Sequence, residues 1–405
     1  MFGLRTEELL IIICGVVVLS YLYSIAGRYL RLPSVLLLLF SGLALRAIAD
    51  SYNFKLALPP LAVEGLGVIG LIMIMLEAGL DLKITRNKMK LIRDSFFSAL
   101  VIFVLSTALV SGILYYWLGE PPEKCIVYAI PLSIMSSTIV IPSIHPLTSN
   151  KREFLIYEAS FSDILGVMAF NFFLDNKQFT TMSLFKFSGS IILSIILSIL
   201  FSLLLFLILT KTKLQIKFFV VFALLILIYL GGKLLHLPSL LIILAFGLMI
   251  NNWESIKVPA LTKRFPMREV DSIRELLHSL TAESSFLVRT FFFVLFGFTI
   301  SLQFLDNGEV WLVGGLIVIS LLVTRLLYLK FFVKTNVFPE TFFIPRGLIT
   351  IVLFYKIPDH FKLVTFNESI LFFIILTTGV IMMLGMIFYK KPAQDIIEEG
   401  QFSSL

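Results

Sequence analysis

The sequence predicts an all-α polytopic membrane protein with about 13 transmembrane helices, and three observations carry that prediction. Hydrophobic residues make up 58% of the 405 and charged residues only 15%, against about 25% charged in soluble domains. Apolar stretches of about 20 residues, each enough for one helical crossing, recur from end to end. A short motif near the N-terminus returns in the second half, as it does in chains built from inverted repeats. Barrel strands would instead show alternating segments of about ten residues, and the sequence has none.

By hydropathy the crossings fall near residues 9–27, 33–49, 61–80, 95–118, 126–145, 152–174, 183–210, 215–233, 236–250, 285–303, 309–332, 341–357 and 367–389. The first reads as a retained crossing, since it is long and lacks a small-residue cleavage site. Loops are brief, and the largest, from Asn251 to Glu283, reads as polar with an amphipathic surface helix. Residues 1–391 therefore read as a single transmembrane domain, in which 30–175 and 235–390 are the repeats and 183–233 link them. Residues 392–405 read as a short cytoplasmic tail.

Loop charge sets the orientation. The segments after odd-numbered crossings carry Lys83, Arg86, Lys88, Lys90 and Arg93, then Lys151 and Arg152, then Lys211, Lys213 and Lys217, then Lys257, Lys263, Arg264 and Arg268. They hold roughly twice the Lys and Arg of the opposite set, which makes them cytoplasmic, with the N-terminus outside and the C-terminus inside an inner membrane. The formal net charge of +7 belongs to these loops and implies no nucleic-acid partner.

The repeat joins Leu30-Arg31-Leu32-Pro33-Ser34 and Gly42-Leu43 to Leu235-His236-Leu237-Pro238-Ser239 and Gly247-Leu248. The copies enter the second and ninth crossings. An odd separation reverses orientation, so they would be inverted in the membrane, a signature of secondary transporters with a site near the midplane. Other classes find less support. The two cysteines, Cys14 and Cys125, lie in apolar segments and read as inert thiols. The histidines lack ligand spacing, and neither a catalytic loop nor a metal constellation is visible, so an enzyme is not expected. No cofactor is expected either.

Ionisable groups at bilayer depth cost about 2.5–3.5 kcal/mol each on insertion scales, which marks them as functional candidates. The sixth crossing carries Glu158 and Asp163. At 100° per residue, Glu158 and Ser162 share one face while Asp163 points to another. Arg325 in the eleventh crossing and Arg346 in the twelfth supply cations. A guanidinium fork suits a carboxylate, and Glu158 with Arg325 is the expected pair. Asp163 is then the one unpaired core carboxylate, poised to alternate between a proton and a metal ion. The fifth and twelfth crossings look broken, the one by hydroxyls between Pro131 and Pro142 (Ser133, Ser136, Ser137, Thr138), the other by Pro345-Arg346-Gly347. Unwound backbone at that depth lines a cavity, and its carbonyls suit a monovalent cation.

These residues resemble the monovalent cation:proton antiporter superfamily over nearly the whole chain. Leu76-Glu77-Ala78-Gly79-Leu80-Asp81-Leu82 is similar to its third-helix end, and Phe291-Phe292-Phe293-Val294-Leu295-Phe296-Gly297 to its tenth-helix segment. Glu158, Ser162 and Asp163 match the Glu-three-residues-Asn-Asp motif of the electroneutral branch, and Arg325 and Arg346-Gly347 fall where that branch carries arginines. The resemblance implies a sodium/proton antiporter-like fold, with a dimerisation bundle and a mobile core of two crossed, discontinuous helices. It implies a homodimer exchanging Na⁺ or K⁺ for H⁺ in pH homeostasis. Asp163 would carry ion and proton, with Ser162, Ser137 and Thr138 beside it and Arg325 bracing Glu158. Two departures stand out: Ser162 replaces Asn, and Ser136-Ser137-Thr138-Ile139-Val140 lacks the Asp of many sodium exchangers and is closer to potassium-efflux relatives. The rival readings are a proton-coupled carrier of organic anions using Arg346, and a sensor or channel with a gating carboxylate.

Overall fold

The computed structural model describes residues 6–30, 33–51, 60–144, 146–175, 189, 192–201, 203–204, 217–234, 237, 239–255, 267–299, 308–333, 337–363 and 366–389. Among them every regular element is helical. The long helices are α1 (Thr6–Leu30), α2 (Ser34–Ser51), α3 (Pro60–Asp81), α4 (Met89–Leu118), α7 (Ser149–Asp175), α9 (Lys217–Leu234), α11 (Met267–Thr299), α12 (Gly308–Tyr328) and α14 (Ser369–Phe388). Shorter pieces are α5 (Pro122–Ser133), α6 (Ser137–Ser143), α8 (Ile192–Phe201), α10 (Ser239–Asn251) and α13 (Leu348–Tyr355). Seven of the described helices are long and apolar enough to cross a membrane, counting α5 and α6 together as one.

The expected polar loop from Asn251 to Glu283 needs correction. Its described part from Met267 onward is not a separate surface helix. It is the first half of α11, which runs 33 residues without interruption into the tenth crossing. The reason is amphipathic spacing: Val270, Ile273 and Leu277 recur on one buried face, while Arg274 pairs with Asp271 one turn back at 3.1 Å. Hydropathy averaging sees the charges and misses the stripe. The seventh crossing falls largely outside the described residues, as do the tail from 392 and, in the repeated motif, Arg31, Leu32, Leu235, His236 and Pro238.

The chain divides into two compact units, one of Met1–Leu58, Arg93–Gly166 and Thr290–Leu405, the other of Pro59–Ile92 and Val167–Arg289. Each contains a close helix crossing built on a glycine of the repeated motif. In the first unit Gly42 of α2 meets Gly297 of α11; a Cβ on Gly42 would lie 3.0 Å from the Gly297 Cα and closer still to the Val294 carbonyl. In the second, a Cβ on Gly79 of α3 would lie 2.9 Å from the Gly247 Cα of α10. Backbones approach this closely only where side chains are absent, and in lipid that contact replaces the missing hydrophobic drive. The second unit is further tied by Asn252, whose amide nitrogen donates to the carbonyls of Leu82 (2.8 Å) and Leu248 (2.9 Å).

Candidate functional site

Two interrupted helices frame the site, both within the first unit. Pro131 lacks an N–H and crowds the preceding turn; α5 ends two residues later at Ser133, and Ile134 is extended. The chain resumes as α6 at Ser137. In the twelfth crossing a 3₁₀ turn at Glu340–Phe342 gives way to non-helical backbone through Gly347, and α13 begins at Leu348. The two breaks meet: the Ser136 N–H donates to the Pro345 carbonyl at 2.9 Å. Gly347 permits the approach, because a Cβ there would lie 2.9 Å from the Ser136 Cβ.

Each break leaves backbone groups without a helical partner, and side chains satisfy them. Arg346 serves the end of α5: its Nε donates to the Leu132 carbonyl (2.6 Å), one terminal nitrogen to Ser133 (3.3 Å) and the other to Ile344 (2.8 Å). A cation at the carbonyl end of a helix is also favoured by the dipole. The Arg346 N–H is taken up by the Thr378 hydroxyl at 3.2 Å. The Met135 N–H donates to the Ser162 hydroxyl at 2.9 Å. The Ser137 N–H (3.3 Å) and hydroxyl (2.5 Å) both donate to Oδ2 of Asp163.

The two carboxylates of α7 have opposite surroundings. Glu158 is fully engaged: Arg325 holds it bidentately at 3.1 and 2.7 Å, and the Ser98 hydroxyl donates to Oε1 at 2.6 Å. The Arg325 Nε donates to the Glu340 carbonyl at 2.6 Å. Asp163 is equally buried, yet no guanidinium or ammonium pairs with it among the described residues. Its Oδ1 has no hydrogen-bond partner there. Beside the ion pair lies a small cavity bounded by Glu158, Arg325, Arg346, Ser162, Ser133 and Met135. Its volume of about 10 Å³ is room for roughly one water.

The residues singled out in the sequence thus converge, with differences in detail. The contact between Glu158 and Arg325 is present, and Ser137 meets Asp163. The Thr138 hydroxyl is instead 2.8 Å from that of Ser136, and Ser162 caps the broken backbone. Arg346 faces carbonyls, not a carboxylate. Sequence reasoning missed Ser98, Glu340, Thr378 and Lys151, which pairs with Glu340 at 2.6 Å. Ser98 is one of several hydroxyls in an apolar crossing, beside Ser95, Ser106, Thr107 and Ser111, and Lys151 read as a loop charge, so neither stood out. The acids of the Leu76–Leu82 segment lie in the second unit, where Glu77 meets Arg289 (3.7 Å) and Asp81 meets His278 (2.9 Å). No group of three or more potential metal-ligating side chains occurs among the described residues.

No curated protein matches the sequence. Solved structures do resemble the fold. The sodium proton antiporter MjNhaP1 from Methanocaldococcus jannaschii at pH 8 superposes with a TM-score of 0.68 at 19% identity, over 95% of this chain and 99% of that one. An electron-microscopy structure of the same antiporter gives 0.63 at 18% identity, covering 95% of each. At such identity the likeness establishes the fold, a sodium/proton antiporter-like bundle. The family model for sodium/hydrogen exchanger, transmembrane, matches residues 15–389, and with nearly the whole length matched the chain belongs to that family of membrane transporters, which are cation/proton antiporters and not enzymes.

Proposed function

We propose that this chain exchanges one alkali cation, Na⁺ or K⁺, for one proton at Asp163, by alternating access and without net charge movement. The observation that carries the reading is the buried Asp163 carboxylate, one oxygen held by Ser137 and the other without a partner among the described residues. A proton or a dehydrated cation completes it equally well. Because both occupy the same group, they compete, and one site of one charge gives one-for-one exchange. A bare carboxylate is costly where water is excluded, so the core moves only when Asp163 is neutralised by either ligand, which suppresses leak. Glu158 and Arg325 neutralise each other and hold the frame. Ser162 supports the site by fixing the Met135 N–H. In the same reading the protein is a homodimer in the inner membrane, N-terminus outside.

A carrier of organic anions would need Arg346 free to meet a carboxylate. Its three donor nitrogens instead face backbone carbonyls, which favours the cation reading.

The test is reconstitution in liposomes loaded with a pH-sensitive dye, with Na⁺, K⁺ or Li⁺ added across a proton gradient. The expected result is a cation-dependent pH change that is unaffected by clamping the membrane potential and is lost in Asp163→Asn. Retained exchange in that variant would overturn the assignment of Asp163. A rate that follows the clamped potential would overturn electroneutrality. The ranking of ions names the substrate.

A further inference from the structure

Lys151 and Glu340 form an ion pair at 2.6 Å, with side chains 22% and 10% exposed. Lys151 also donates to the Phe338 carbonyl at 2.9 Å. Lys151 stands in the first turn of α7, 12 residues before Asp163, or about 18 Å along the helix at about 1.5 Å per residue. Lys151 and Glu158 are seven residues apart and so share a face, two turns from each other. Both reach Glu340, Lys151 through the carboxylate and Glu158 through Arg325, whose Nε binds the Glu340 carbonyl.

The contacts close into a ring. From Lys151 the path runs to Glu340, along the non-helical stretch to Pro345, across its carbonyl to the Ser136 N–H, and through Ser137 to Asp163, which returns to Lys151 along α7. The middle of the 343–347 stretch is tied by Arg346 to Leu132, Ser133 and Thr378. The Phe343 N–H still donates to the Glu340 carbonyl at 3.1 Å, and the Gly347 carbonyl accepts from the Ile351 N–H at 3.1 Å, so the position of the stretch also depends on what holds its two ends. The α13 end is fixed by its helix. The Glu340 end is fixed by Lys151 and Arg325.

We propose that Lys151 and Glu340 are a positioning pair for the transport site: they hold the 338–347 segment at the height where Pro345 orients Ser136 and Ser137 onto Asp163, and so set cation affinity from the far end of α7. The proposal rests on the reading of Asp163 as the exchange site.

Lys151→Met is expected to raise the apparent KM for the cation on the order of fivefold, the scale of a part-buried ion pair, with the maximal rate changed less. Lys151→Arg should keep the KM near wild type. Glu340→Lys should raise it as Lys151→Met does, and adding Lys151→Glu to it should restore it, since the swap re-forms the pair. A lowered melting temperature with unchanged KM in Lys151→Met would reduce the pair to a structural clamp and overturn the proposal, as would a swap with no rescue. Backbone hydrogen exchange separates this from the fate of the Asp163 reading. Lys151→Met should speed exchange at the Ser136 and Ser137 amides whether or not Asp163→Asn abolishes transport. Unchanged protection there overturns the positioning role even if Asp163 proves to be the exchange site.

Discussion

Glu158 and Asp163 stand five residues apart on α7, each only 1% exposed, and the fold treats them in opposite ways. Glu158 receives three charge-assisted or hydroxyl hydrogen bonds, from Arg325 and Ser98. Asp163 receives two, both on the same oxygen and both from Ser137. A buried ion pair is tolerable when its geometry is good and its remaining lone pairs are filled, and Glu158 meets both conditions. A buried carboxylate left half-satisfied costs stability that packing does not return, which is why such a group points to function. One helix therefore carries one acid that is fully engaged and one that is half-satisfied, distinguished not by burial but by who else was brought to the spot.

The sharpest way to break that comparison is to neutralise each acid in turn. Asp163→Asn should abolish exchange and leave the melting temperature in detergent unchanged or raised, since it removes an uncompensated buried acid. Glu158→Gln and Arg325→Met should each cost about 3–5 kcal/mol by stranding one charge, and the double variant should recover much of that loss. If Asp163→Asn melts lower than Glu158→Gln, the division of labour is reversed.

Smaller effects sharpen the picture. Ser98→Ala removes one donor from the Glu158 carboxylate and should destabilise by about 1.5 kcal/mol, the lower end for hydrogen bonds to charged groups; no change in melting temperature would place Ser98 outside the network. Ser137→Ala should act on transport instead. Its hydroxyl is one of the two donors that hold Oδ2 of Asp163, so without it the carboxylate is less well placed for the cation. The apparent KM for the cation should rise about tenfold, from about 1.5 kcal/mol of hydrogen bonding to a charged group. An unchanged KM would mean that the Ser137 hydroxyl does not help to form the cation site.

Much of this was legible without coordinates. Lipid permits only a closed backbone, so composition and apolar run length give a helical bundle. The cost of burying charge makes Glu158, Asp163, Arg325 and Arg346 conspicuous wherever they fall in apolar runs. Proline marks both broken helices for a local reason, its missing N–H. Even Gly42 and Gly247, read as part of a repeat, each make a glycine-to-glycine crossing.

Partner choice was not legible in the same way. Arg346 lies in a break and could have been given to an acid, yet it serves the freed carbonyls of α5. Ser98, Lys151 and Glu340 carry no local signal, and the polar stretch before Glu283 concealed half of α11. Periodicity and hydropathy are properties of neighbours along the chain, whereas Arg325 and Glu158 are 167 residues apart. Which of two buried acids receives the Arg325 guanidinium depends on how α4, α7 and α12 pack, and side-chain pairing at that separation exists only once the helices have come together.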